Sequence, residues 1–310
     1  MRIARLDDSV PARTLVLDNA PKPRPGRGEL LIRVHGAGVT PTELQWYPTT
    51  HTKSGEKRAR AIPGHEFSGV IVACGEDVSG LELGQEIFGM NDWFADGAMA
   101  EFCVASPAAV ALKPPGLSHA QAASVPIGAL TAWQGLVDRA KVQPGERVLV
   151  HGGAGAVGVF AIQVARIKGA HVIATASETN VAFVSGLGAE QVIDYRAARF
   201  EQAVTAVDAV FDTVGGETLQ RSWGILKPQG RMVTIAASKE NATDARTKEA
   251  FLLVEANAKQ LTAIADLLED GRLRPFVDAV VPLSLAPDAF ADRVPRQGRG
   301  KVVVTAVDTN

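Results

Sequence analysis

Gly153, Gly155 and Gly158 stand at the spacing G-x-G-x-x-G, between the apolar run Val148-Leu149-Val150 and the amphipathic stretch Val157 to Lys168. An apolar, β-branched run of this kind reads as a buried parallel strand. The three glycines are expected to act differently. Gly153 permits a tight turn, Gly155 lets backbone approach a pyrophosphate, and Gly158 lets the helix pack on the strand. Ala156 and Val157, at the start of that helix, would offer unpaired N–H groups to the phosphates, and the helix dipole favours their negative charge. A glycine-rich turn alone can merely join two packed elements. Here a further strand at His171 to Thr175 completes a βαβ unit, which points to a dinucleotide.

The end of that second strand bears on which dinucleotide. An Asp or Glu there binds both ribose hydroxyls of NAD. This chain has Ala176 and Ser177, so a 2′-phosphate meets no carboxylate and gains a hydroxyl, which favours NADP. Glu178 would oppose it if turned inward. Arg196 is a candidate phosphate partner, with a plain solvated residue as the alternative.

The elements that must hold this site fall into two regions. The chain has 310 residues, 46% of them hydrophobic and 21% charged, enough to fill two cores. Residues 1 to about 123 read as β-rich, with strand composition in GELLIRVHGAGV, EFSGVIVACG and AEFCVA. Helical and strand segments alternate beyond Gln121, with strands expected at Arg147–His151, His171–Thr175, Gln191–Tyr195, Asp208–Asp212 and Arg231–Ile235. Phe251 to Val254 could add an edge strand, KQLTAIADLLEDGRL reads as a helix ended by Gly271, and RGKVVVTAV as a last strand. The polar stretch Ser238 to Glu249 reads as a loop.

A net charge of −2 and a pI near 6.3 give no basic field for nucleic acid. Val148 to Ala165 carries no formal charge over 18 residues, but its four glycines and strand–turn–helix pattern argue against a membrane span. Two cysteines, Cys74 and Cys103, are too few for a disulfide framework, and MRIARLDDSV lacks the apolar core of a signal peptide. A cytoplasmic protein is expected.

With these residues in view, the chain resembles the medium-chain dehydrogenase/reductase superfamily, in its zinc-independent quinone-oxidoreductase branch. The segments PRPGRGELLIRVHGAGV, GHEFSGVIVACGEDVSGLELGQEIFG, DGAMAEF, LTAW, HGGAGAVG, GLGAEQVIDYR, FDTVGGETL, LKPQGRMVTIA and RGKVVV carry the likeness, in the family's order. It implies an α/β protein with a GroES-like β-rich catalytic domain, residues 1–123 and 256–310, and a Rossmann doubly wound parallel-sheet domain, residues 124–255. It also implies a homodimer and an active site in the cleft between domains.

The zinc enzymes of the superfamily use a first Cys, a His, in some states a Glu, and a second Cys. By the resemblance Thr40 stands at the first position, Ile127 near the last, and only His65 and Glu66 remain. A catalytic zinc needs about three protein ligands, so no metal is expected. His65 is then either a structural hydrogen-bonded residue beside Glu66 or a proton donor in the cleft.

Without a metal the substrate must already be electrophilic, as quinones and α,β-unsaturated carbonyls are. The resemblance places Thr40 near the nicotinamide ribose, Thr131 beneath the nicotinamide, and Thr213, Val214 and Gly215 in the loop bordering it. Tyr195 falls beside the adenosine half. Trp46, Tyr47, Asn91 and Trp93 fall in cleft-facing segments, with Thr42 and Tyr47 the better candidates for proton donation. Cys103, with no acid, base or cation beside it in sequence, reads as a core thiol. The expectation is an NADPH-dependent reductase of small quinones or enones, binding neither membrane nor nucleic acid. The alternatives are a zinc-type alcohol or carbonyl dehydrogenase and a non-catalytic NADPH-binding protein.

Overall fold

The computed structural model describes residues 1–7, 9, 14–236 and 244–306. Strands β1 (Arg2–Leu6) and β2 (Leu15–Asn19) pair antiparallel. The chain continues through β3 (Leu30–Gly38), β4 (Glu66–Cys74), β5 (Glu86–Met90), β6 (Phe102–Ala105) and β7 (Val110–Leu112). It then builds β8 (Arg147–Val150), β9 (His171–Ala176), β10 (Gln191–Asp194), β11 (Val207–Asp212) and β12 (Leu226–Thr234). Finally β13 (Val277–Pro282) and β14 (Lys301–Thr305) return to the first sheet, whose order is β13-β14-β3-β4-β5-β7, with β6 on β3. This is the GroES-like β-rich part; Leu30, Ile32, Val34, Phe67, Ile71, Ile87 and Val304 form its core.

The second sheet is parallel throughout, in the order β10-β9-β8-β11-β12. Val148 and Val150 enter one core while Leu149 enters another, which is what a sheet covered on both faces requires. The strand order reverses between β9 and β11 on either side of β8. Ligands of such sheets bind in the crevice outside the carboxyl ends at that switch point, here the ends of β8 and β11.

Differences from the sequence expectation are local. β12 starts at Leu226 rather than Arg231. Phe251 makes only a single parallel bridge to Thr234, reinforced by the Leu252 N–H donating to the Thr234 carbonyl at 2.9 Å, rather than an edge strand. Of the stretch expected as a loop, 238–243 lies outside the described residues. The rest is helical, because the Asp244 carboxylate caps Ala245–Ala250 by accepting from the Arg246 N–H at 2.9 Å. The helix Ala258–Glu269 begins one residue before the expected Lys259, capped by the Asn257 side chain, which accepts from the Gln260 N–H at 3.1 Å, and left-handed Gly271 (φ 67°) lies just beyond its end as expected.

Where the two regions meet, the first sheet holds a buried ion pair between two of its own strands. Glu66, first residue of β4, and Lys301, first of β14, are 0% and 4% exposed, with Lys301 Nζ 2.5 Å from Glu66 Oε1. Lys301 also donates to Thr40 Oγ1 at 3.2 Å, just past β3. The other carboxylate oxygen of Glu66 accepts from the backbone N–H of Ile127 at 2.9 Å, in the helix Pro126–Trp133 that leads into the second sheet. One residue before Lys301, the Gly300 N–H donates to the Ala154 carbonyl at 2.9 Å, inside the glycine turn. Burial pushes the Glu66 carboxyl above the usual range, and the adjacent Lys301 ammonium pulls it back.

Removing the cation alone is expected to be costly: Lys301→Met strands a buried carboxylate and should lower unfolding free energy by about 3–5 kcal/mol. The double variant with Glu66→Gln should recover much of this in denaturant titration. A second expectation concerns acid. His119 is held at about 4 by burial and by neighbouring His35 and Lys113, against the opposing pull of Glu86. Because its pKa is depressed on folding, below about 6.5 the unfolded chain takes up a proton that the folded one refuses. Stability should therefore fall from pH 6.5 to about 4, by about 1.4 kcal/mol per pH unit for one such proton. The slope should be shallower in His119→Gln.

Candidate active site

A cleft of about 930 Å³ opens between the two sheets, where the switch point faces the N-terminal region. From the nucleotide side it is lined by Gly155, Ala156, Val157, Thr131, Thr213, Ile235 and Ala236, and from the other side by Thr40, Thr42, Gln45, Trp46, Tyr47, His51 and Trp93. The fold thus brings together candidate residues separated by more than a hundred positions.

The glycine turn divides its work differently from the sequence assignment. Gly152, not Gly153, takes the left-handed backbone (φ 73°) that makes the turn. A side chain on Gly153 would press at 3.0–3.2 Å on Ile162, Val184 and Ala174, so this glycine serves packing. Gly155 lines the cleft, and an added Cβ there would meet only the Gly152 carbonyl, at 3.3 Å. Gly158 packs directly against the Gly152 carbonyl, as close helix–strand contact demands. Among the described residues, no backbone carbonyl accepts from the N–H groups of Ala156 or Val157. This open cradle at the N-terminus of the helix Gly158–Ile167 fits a pyrophosphate.

Thr131 and Thr213 reach the cleft, with hydroxyls donating to the Ile127 carbonyl at 2.6 Å and the His151 carbonyl at 2.8 Å. Val214 and Gly215 do not line it. The Asp212 carboxylate takes both their N–H groups, at 3.0 and 3.1 Å, which curls this loop back toward β11. Ser177 and Tyr195 lie beyond the cleft lining, at the carboxyl ends of the neighbouring strands β9 and β10, where the Tyr195 N–H donates to the Ala176 carbonyl at 3.2 Å. Half-exposed Tyr195 carries the Arg196 guanidinium 5.6 Å from its ring centre.

On the opposite wall, Tyr47 stacks on His51, ring centres 4.3 Å apart and nearly parallel, and Trp46 meets Trp93 edge-on at 5.1 Å. The Trp93 indole N–H donates to the Val254 carbonyl at 3.0 Å, closing one end of the cleft between the two regions. His65 is corrected as a cleft proton donor. It is 1% exposed behind Trp93, with Nδ1 3.2 Å from Glu43 Oε2 and Nε2 3.2 Å from the Ala95 carbonyl, so its ring joins buried segments. Asn91, also buried, donates to the Asp96 carbonyl at 3.0 Å instead of facing the cleft. Burial pushes the Cys103 thiol up to about 12, which makes it inert.

Sequence reasoning missed His51, Lys301 and Arg296 among the lining residues. Nothing local marked them, although the His51 spacing from Tyr47 places both rings on one face of a short helical turn. Lys301 also bears on metal chemistry. Its ammonium stands against Glu66 and Thr40, and among the described residues no three His, Cys, Asp or Glu side chains stand close enough to hold a metal ion.

Comparison with known proteins agrees with this layout. Residues 26–115 match the alcohol dehydrogenase GroES-like domain, and residues 187–304 match a zinc-binding dehydrogenase family. The mitochondrial NAD(P)H oxidoreductase RTN4IP1 of Mus musculus is 32% identical over 328 residues, covering 90% of this chain and 82% of that protein. The 2-methylene-furan-3-one reductase of Solanum lycopersicum is 32% identical, covering 89% and 71%. The structure of the quinone oxidoreductase from Coxiella burnetii superposes with a TM-score of 0.89 at 32% identity, covering 99% of each chain. The mouse protein and its zebrafish, human and bovine counterparts are mitochondrial by name, which corrects the expectation of a cytoplasmic protein. Few cysteines signal a reducing compartment without specifying which one. No helix among the described residues is long and apolar enough to cross a membrane. The chain belongs to the medium-chain dehydrogenase/reductase superfamily and is an enzyme related to its zinc-independent quinone and NAD(P)H oxidoreductases.

Proposed function

We propose that this enzyme is an NADPH-dependent reductase of quinones or α,β-unsaturated carbonyls, working by direct hydride transfer without a metal. The observation that carries the reading is the shared cleft: a phosphate cradle at Gly155 to Val157 and a wall of aromatic rings and hydroxyls open into one space. The names of the bacterial quinone oxidoreductase and the tomato enone reductase support the same substrate class. Bound reduced nicotinamide supplies the hydride.

This chain's residues do the rest by positioning. Thr131 and Thr213 bound the nicotinamide side, and Trp46 and Trp93 provide flat apolar surface for a planar acceptor. Thr42 and Tyr47 present O–H groups to the acceptor's carbonyl oxygen as negative charge develops there. Tyr47, half exposed at the cleft, also serves as the route by which a proton reaches the reduced product. Thr40, already accepting from Lys301, orients the ribose beside the nicotinamide. The preference for NADP rests on Ser177 at the end of β9 and on Tyr195 and Arg196 at the end of β10. By family resemblance the working unit is a homodimer, to be checked by light scattering.

The testing experiment is oxidation of NADPH, with NADH in parallel, against ortho-quinones, enals and simple aldehydes, each with and without a chelator. Chelator-insensitive turnover of quinones or enals is expected. Turnover confined to aldehydes and abolished by chelator would replace this reading with the zinc-type dehydrogenase, and binding without turnover with a sensor. Ser177→Asp should raise the KM for NADPH about tenfold or more while sparing NADH, since it sets a carboxylate against the 2′-phosphate. An unchanged ratio would remove Ser177 from the site.

A further inference from the structure

The segment entering β14 carries a second cation, Arg299, to the far end of the nucleotide groove. Its Nε donates to Asn180 Oδ1 at 2.8 Å and its Nη2 to the Thr179 carbonyl at 3.0 Å, while the guanidinium lies 5.2 Å from the centre of the Phe183 ring. Buried Asn180 in turn donates to Ser177 Oγ at 3.3 Å. Arg299 therefore stands one hydrogen-bonded residue from the serine where the adenosine ribose is expected, although 122 positions separate the two in sequence.

Its electrostatic state is unusual for this segment. Arg293 pairs with Asp288 at 2.7 Å and Arg296 with Asp292 at 2.6 Å. Half-buried Arg299 has no carboxylate within ion-pair distance among the described residues. An amide oxygen and a carbonyl orient the guanidinium but do not neutralise it. Two of its nitrogens are engaged, and a guanidinium carries five N–H donors in a planar fork, a shape suited to a phosphate. Gly298 and Gly300, both left-handed (φ 74° and 84°), set the path on either side, and Gly300 packs so closely on the Phe276 carbonyl that no side chain fits there.

We infer that Arg299 supplies a cation to the subsite for the ribose 2′-phosphate, beside Ser177. The inference rests on the NADP reading above and deepens it: the strand end supplies a hydroxyl without a carboxylate, and the segment leading into the first sheet's β14 supplies the charge. Nucleotide choice is then read jointly by residues from both regions of the chain.

The test is calorimetric titration of the intact protein with 2′,5′-ADP and with 5′-ADP, which differ only in the 2′-phosphate, alongside KM values for NADPH and NADH. The wild type should bind 2′,5′-ADP the more tightly. Arg299→Ala should weaken 2′,5′-ADP about tenfold or more, the range for a hydrogen bond to a charged group, and leave 5′-ADP nearly unchanged. Arg299→Lys should retain part of the discrimination, because it keeps the charge and loses the fork. Equal weakening of both ligands would mean that Arg299 only holds Thr179 and Asn180 in place, and would overturn the inference, as would no change in either. A wild type that binds both ligands equally would overturn the NADP reading itself, a result separable from failure of the arginine alone.

Discussion

The buried pair of Glu66 and Lys301 is the constraint that fixes the first sheet where it meets the second region, through the Ile127 N–H. Two opposite charges at 0% and 4% exposure tolerate little displacement, since neither can turn to water if its partner moves. Each is at the first residue of its strand, and each holds a second group: Thr40 through the ammonium, the Ile127 N–H through the carboxylate. Four chain segments from both regions therefore converge within hydrogen-bond distance at the cleft floor. Gly300, adjacent to Lys301, adds a backbone bond to the glycine turn, so the turn that would carry phosphate is registered against the wall that would carry substrate. Such a pair contributes less to net stability than to uniqueness of arrangement, because desolvation offsets most of the attraction.

The pair also decides what Glu66 can do. In a zinc dehydrogenase the corresponding carboxylate is near the metal. Here its oxygens are committed to an ammonium and a backbone N–H. Along the opposite wall the cleft offers neutral donors, the hydroxyls of Thr42 and Tyr47 among them. Neutral donors of that kind would stabilise a developing enolate or phenolate modestly, so the proposed acceptors are ones that are electrophilic before they bind.

The fold was legible in the sequence wherever one local physical rule governed. Buried parallel strands carry apolar runs, so residues 148–150 and the run 209–211 inside the expected Asp208–Asp212 are readable as strands, and Gly271 marks the end of its helix through cap chemistry. Legibility failed where a local choice depended on distant atoms. The turn glycine was placed at Gly153 by spacing, whereas backbone dihedral puts it at Gly152, because neighbouring glycines are indistinguishable until the packing around each is known. Val214 and Gly215 looked available until Asp212 claimed their N–H groups. The resemblance at Gly64-His65-Glu66 leaves His65 open between a structural residue and a cleft proton donor, a choice decided by distant Glu43, which receives the His65 ring.

The cations were the hardest part to read, and for one reason. Lys301 meets Thr40 across 261 positions and Arg299 meets Asn180 across 119. Both lie in GRGKVVV, where sequence shows only the apolar run of a strand and the glycines before it. Those glycines explain the placement: they allow the chain to pass close to Ala154 and Phe276 before β14 begins, so that two basic groups separate, Arg299 toward the end of β9 and Lys301 toward the start of β4. A short terminal segment thus supplies charge to both ends of the groove, from the side opposite the glycine fingerprint. A dinucleotide bridging these positions would contact the parallel sheet through backbone N–H groups and this segment through a side-chain cation, so its binding would draw the two regions together.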